Sequence, residues 1–139
     1  MTLSADDRGA ITELISLHGH LFDEGELDRL DELFTGDVVY DVRDFGLEPL
    51  QGIDALRGAA VELGEASPLA HHVTNVVITE VDGDTATARS KGLGVLEGGT
   101  VGSVTYVDTV RRGVEGWRIS DRIVLARRTP LGGLGIPLE

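Results

Sequence analysis

The feature that most constrains this chain is a change of hydrophobic period near Ala70. Before it, apolar residues recur at helical spacing; after it they alternate, in four segments separated only by short turns. Parallel strands need a crossover of a dozen or more residues, usually helical, so strands joined this closely must pair antiparallel. The segments run near His71 to Val81, Thr85 to Leu96, Val101 to Arg112 and Trp117 to Arg128. Asp82-Gly83 marks the first hairpin turn, and Glu97 to Thr100 and Gly113 to Gly116 mark the next two.

The first half reads as helices around a single strand. Ser4 with Asp7 forms a capping signature, and Ile11, Leu14, Ile15, His18 and Phe22 follow on one helical stripe to Asp23. His20 lies about half a turn away from that stripe and points outward. Beyond Gly25, a short second helix carries Leu27, Leu30, Leu33 and Phe34 before Gly36. Val38 to Val42 alternates as a strand, 44–51 is a loop, and Gly52 to Leu63 reads as a third helix. Helices gathered ahead of a mainly antiparallel sheet make an α+β fold in one domain, with its core at about 4–128. The tail from Thr129 to Glu139, rich in Gly and Pro, is expected on the surface or against a partner subunit.

Composition excludes several function classes. A chain of 139 residues can bury a core without disulfides or metal, and with no cysteine there is no thiol nucleophile and no zinc knuckle. A net charge of −12 repels phosphate backbones and anionic lipid, so neither nucleic acid nor a membrane is an expected partner. No secretion signal is visible at the N-terminus, and a cytoplasmic location fits.

Five stretches carry a resemblance: Phe22 to Asp28, Leu33 to Tyr40, Gln51 to Leu56, His71 to Asn75 and Gly116 to Arg122. Together, and in this order, they resemble the SnoaL-like branch of the nuclear-transport-factor-2-like superfamily across nearly the whole chain. The resemblance implies a cone: a strongly curved, mainly antiparallel sheet with three helices on its concave face, closed at one end around a pocket for a small hydrophobic molecule. It also implies a homodimer. The superfold hosts dehydratases, isomerases, cyclases, epoxide hydrolases and non-catalytic binders, so chemistry must be argued from residues.

His72 opens the strand after the third helix, where scytalone dehydratase and bile-acid 7α-dehydratase imply a catalytic histidine; otherwise it is a strand histidine with a structural hydrogen bond. A neutral imidazole suits proton abstraction near neutral pH. Asp23 follows Phe22 as an acid follows an aromatic residue in scytalone dehydratase; it either orients the histidine or caps the helix end. Phe22 would line the pocket. His18 lies on the inner helical stripe, in a place similar to that of the tyrosine donor in ketosteroid isomerase, or it is a satisfied core histidine. Tyr40 shares a strand face with Val38 and Val42 and offers a phenolic donor, or packs as an ordinary core tyrosine.

Tyr106 and Asp108 share a face with Val104 and Val110. Asp108 either resembles the protonated oxyanion-hole acid of the isomerase or pairs with Arg122 on the next strand, and the ion pair is preferred. Asp121, in phase with Trp117, Ile119, Ile123 and Leu125, is a further candidate because SnoaL-like cyclases draw a base from this strand. Gly92, Gly94, Gly102 and Ser103 remove volume from the middle strands, either widening the pocket or permitting the bend.

The residues therefore point to a proton-transfer enzyme of the dehydratase, isomerase or cyclase type, needing no metal or organic cofactor, with a ligand-binding or dimerisation module as the alternative. A histidine at position 72 turned to solvent would favour the module; a deep cavity lined by His18, Tyr40 and the histidine would favour the enzyme.

Overall fold

The structure, a computed structural model, describes residues 3–135. Ser4 caps α1 (Ala5–Asp23) by accepting the backbone N–H of Asp7 at 3.0 Å. The Asp7 carboxylate does not fold back to complete a capping box. It accepts Trp117 Nε1–H at 3.1 Å and Arg112 Nη1–H at 2.9 Å, tying the helix start to the sheet. Ile11, Leu14, Ile15, His18 and Leu21 are the buried stripe, and His20 is exposed.

The expected second helix is a 3-10 turn over Leu27–Glu32, and the first strand starts earlier than its alternation suggests. Phe34 leaves the helical face to begin β1 (Phe34–Asp41), because pairing with the last strand takes over: Ile119 N–H donates to Leu33 O at 2.9 Å. Local spacing yields here to a sheet partner far along the chain. Within the expected loop lies a short strand, β2 (Leu50–Gln51), after which α2 (Ile53–Leu63) follows Gly52.

The meander forms as its period implies, with β3 (Ala70–Asp82), β4 (Thr85–Val95), β5 (Val101–Gly113) and β6 (Gly116–Ala126). Sheet order is β2-β1-β6-β5-β4-β3, antiparallel throughout except for β1 beside β6. The sheet is curved and unclosed. Its ladder is broken by register shifts in the β3–β4, β5–β6 and β1–β6 pairs, where an unpaired residue bends the strand.

The helix α1 lies across β3 and reaches β6. The inward residues of β4 are all small: Ala86, Ala88, Ser90, Gly92 and Gly94. On the opposite sheet face Val77, Leu93 and Ile123 are exposed. No helix among the described residues is long and apolar enough to cross a membrane. Of the expected tail, Pro130–Gly133 forms an exposed turn, and residues 136–139, including Pro137, lie outside the described residues.

Two glycines on α1 make opposite demands. A Cβ at Gly19 would overlap the carbonyl oxygen of His71, whereas one at Gly9 would meet nothing within 4 Å. Gly19→Ala should therefore force α1 off β3 and destabilise by about 1–3 kcal/mol. Gly9→Ala, at an exposed helical site, should stabilise by about 0.5–1 kcal/mol. Urea unfolding of the two variants checks both signs.

Candidate active site

The close crossing at Gly19 sets the last turn of α1 against the start of β3. There the Asp23 carboxylate accepts the backbone N–H of His71 at 2.9 and 3.0 Å and its ring Nδ1 at 2.6 Å. Three donor contacts on one carboxylate fix the imidazole plane and leave Nε2 as its free ring nitrogen.

The histidine that meets Asp23 is thus His71, and the expectation for His72 is corrected. His71 and Val73 face inward, while His72 and Thr74 alternate to the exposed side. The signal for His71 was present in the alternation of Val73 with Thr74. It is obscured further on, where Asn75 takes φ +57° at a register shift and the inward positions become Val76 and Ile78.

A cavity of about 530 Å³ opens beside this pair. Its polar lining includes His18, Asp23, Tyr40, His71 and Tyr106, with Phe22 beside them. Leu27, Leu50, Leu56, Leu63 and Leu69 supply apolar wall, and Ala59 and Ala60 keep the α2 side low. That α2 contribution was not foreseen, since nothing in its spacing distinguishes a pocket wall from an ordinary buried face. Glu65 and Asp23 are the two charged side chains of the lining.

His18 stands at the centre of an aromatic cluster. Its ring centroid lies 4.6 Å from Phe22, 5.2 Å from His71 and 5.6 Å from Tyr106. Burial, then the positive charge of Arg122, then His71, hold its pKa well below the ordinary histidine value, so it is neutral. Burial likewise raises the phenol pKa values of Tyr40 and Tyr106, which keeps both protonated as donors. The Tyr106 ring occupies the space a side chain at Gly92 would take, since a Cβ there would overlap the ring. The small residue at Gly92 therefore seats an aromatic wall instead of merely enlarging the pocket.

Asp108 faces inward but does not reach the cavity. Both of its oxygens accept from Arg122, Nε at 2.7 Å and Nη2 at 2.9 Å, and both side chains have no solvent exposure. The preferred ion pair is present and the oxyanion-hole and substrate-binding reading of Asp108 is not supported. Burial opposes the charge of Arg122, but Asp108 outweighs it and raises its pKa. Unforeseen was the third contact, from Arg122 Nη1 to His18 Nδ1 at 2.9 Å.

Asp121 is also corrected. Thr109 pairs with Asp121 but Val110 pairs with Ile119, so Ser120 is a one-residue bulge that reverses the alternation. Trp117 and Ile119 face inward before it, Arg122 and Val124 after it, and Asp121 is exposed. Asp41, on the other face of β1 from Tyr40, is paired with Arg43, whose hydrogen bonds lower its pKa to about 2. Among the described residues, no group of three or more His, Cys, Asp or Glu is placed to hold a metal ion.

The chain matches the SnoaL-like domain over residues 4–123. A nuclear-transport-factor-2-like protein with a cystatin-like fold from Novosphingobium aromaticivorans is 30% identical; the match covers 91% of this chain and 85% of that one, with a TM-score of 0.74. A Mycobacterium tuberculosis protein of unknown function is 24% identical over 91% and 80% of the two chains, with a TM-score of 0.80. LinA is 22% identical over 96% and 95%, with a TM-score of 0.74. The last two likenesses concern the fold alone. Among curated proteins none matches the chain.

The neutral state of buried His18 has a consequence for pH dependence. Its folded pKa lies below the unfolded value, so the unfolded chain binds the extra proton first and stability is lost as pH falls below about 6.5. One such proton gives a slope of up to about 1.4 kcal/mol per pH unit. His18→Asn keeps an acceptor for Arg122 without titrating, and should remove this part of the slope. Urea unfolding from about pH 5 to about pH 8 checks it.

Proposed function

The chain belongs to the SnoaL-like domain family, and from that premise we propose that it moves protons on a small hydrophobic carbonyl compound without a cofactor. The reaction is a dehydration, a double-bond isomerisation or an aldol-type cyclisation; the family includes dehydratases, isomerases and cyclases. The observation that carries this reading is the His71–Asp23 pair set in the wall of a largely apolar cavity, with His18 and Tyr40 in the same lining.

Asp23 takes the Nδ1–H of His71, so the lone pair of Nε2 is the base that removes the proton from carbon next to the carbonyl. The imidazolium formed then lies at 2.6 Å from a carboxylate that stabilises it. As the proton leaves, charge moves to the substrate oxygen, where the protonated Tyr40 phenol or His18 donates a hydrogen bond. The leucine walls displace water, which strengthens both interactions.

The exposure of His72 would have favoured a non-catalytic module, had no other histidine taken its place. His71 takes it, beside a cavity that also contains His18 and Tyr40, and this favours the enzyme.

The test does not require the natural substrate. Deuterium incorporation from heavy water next to the carbonyl of cyclic and aryl ketones, followed by mass spectrometry, reports the proton-abstraction step. Exchange above the buffer rate is expected, reduced about 10²-fold or more in His71→Ala and strongly in Asp23→Asn. His72→Ala should leave it unchanged. Exchange no faster than buffer across the panel, or an undiminished rate in His71→Ala, would sink the proposal.

A further inference from the structure

We propose that Arg122 is a positioning residue for His18: by donating from Nη1 to His18 Nδ1 it holds the buried imidazole in the tautomer that carries its proton on Nε2. His18 then offers the cavity a hydrogen-bond donor and His71 an acceptor. Only the catalytic use of this arrangement rests on the proposed function; the tautomer is a property of the free protein.

The direction of the bond follows from chemistry. A guanidinium has five N–H donors and no acceptor, so at 2.9 Å from Arg122 Nη1 the His18 Nδ1 must be the acceptor. A neutral imidazole that accepts at Nδ1 carries its hydrogen on Nε2. The opposite tautomer would set N–H against N–H inside the core.

Arg122 itself has nowhere else to go. Nε and Nη2 are taken by the two oxygens of Asp108, and the guanidinium carbon lies 4.1 Å from the centroid of the Tyr106 ring. With neither charged side chain exposed, rotating the guanidinium away would strand a buried charge. Arg122 does not line the cavity, whereas His18, to which it donates, and Tyr106, on which it packs, both do.

The two histidines are thereby given opposite hydrogen patterns by opposite partners. Asp23 can only accept, so His71 keeps its hydrogen on Nδ1 and exposes a lone pair on Nε2. Arg122 can only donate, so His18 keeps its hydrogen on Nε2. Their ring centroids are 5.2 Å apart, which sets an acceptor and a donor side by side. The titratable groups facing His18 are His71 from β3, Tyr106 from β5 and Arg122 from β6.

Long-range proton–nitrogen NMR on the full chain, labelled with nitrogen-15 histidine, reads the tautomer directly and without substrate. In the wild type, His18 should show an unprotonated Nδ1 and a protonated Nε2, unchanged from about pH 8 to about pH 5.5. The double variant Arg122→Met with Asp108→Asn removes the buried pair together. Its His18 should become a tautomeric mixture. Arg122→Lys keeps the charge but loses the planar fork; it should give the same mixture if the double variant fails to unfold cooperatively. A wild-type His18 with its hydrogen on Nδ1, or a folded variant that keeps the pure Nε2–H form, would overturn the assignment. A locked tautomer in a protein that catalyses no exchange would sink the proposed function and leave this assignment standing.

Discussion

The buried pair of Arg122 and Asp108 is the contact from which the rest of the site takes its shape. Removing two charges from water is costly, and mutual attraction offsets the cost only when geometry is good and the remaining donors are also satisfied. Here the fork of Arg122 meets both Asp108 oxygens, and its remaining edge meets His18. Three elements are joined by that one guanidinium: β6, which carries it, β5, which carries Asp108 and Tyr106, and α1, which carries His18. A helix that slid by even one residue along the sheet would leave the third donor without an acceptor.

The same helix is located at its other side by the absence of atoms. Gly19 lets α1 touch the backbone of β3. Asp23 then falls within reach of both the backbone and the ring of His71. The two histidines of the cavity are therefore held by quite different means: His71 by a carboxylate at a close helix–strand crossing, His18 by a cation at the centre of the core. Both depend on the placement of α1, which is why a helix at the edge of the sheet in sequence order lies at the middle of the site.

Much of the fold could be read from period alone, because turns and alternation are local properties. Tyr106 and Asp108 lie on the face their alternation implies, because β5 keeps an unbroken register with β4 through both, and Tyr40 faces inward two residues after Val38. Alternation misplaces a face where a strand carries an extra residue. The His72 expectation comes from the resemblance, and the alternation of Val76 and Ile78 does not correct it, because the shift at Asn75 reverses the phase and brings His71 inward. Counting on from Trp117 and Ile119 puts Asp121 inside, but Ser120 reverses it and Arg122 enters the core instead. A bulge leaves little trace in composition, since the residue it adds needs no special chemistry.

These reversals do more than mislead a count. In a regular strand, Arg122 would share the outer face with Arg118, and the inner face would receive Asp121. The bulge at Ser120 exchanges them, turning an arginine inward toward Asp108 and leaving Asp121 at the surface. Had Asp121 entered instead, the core would hold two carboxylates and no cation, and His18 Nδ1 would face no fixed donor. At β3 the phase change likewise chooses which of two adjacent histidines meets Asp23. The acid–base character of the cavity is thus set less by which residue types the chain contains than by where its strands lose register, a feature that hydrophobic patterning alone does not encode.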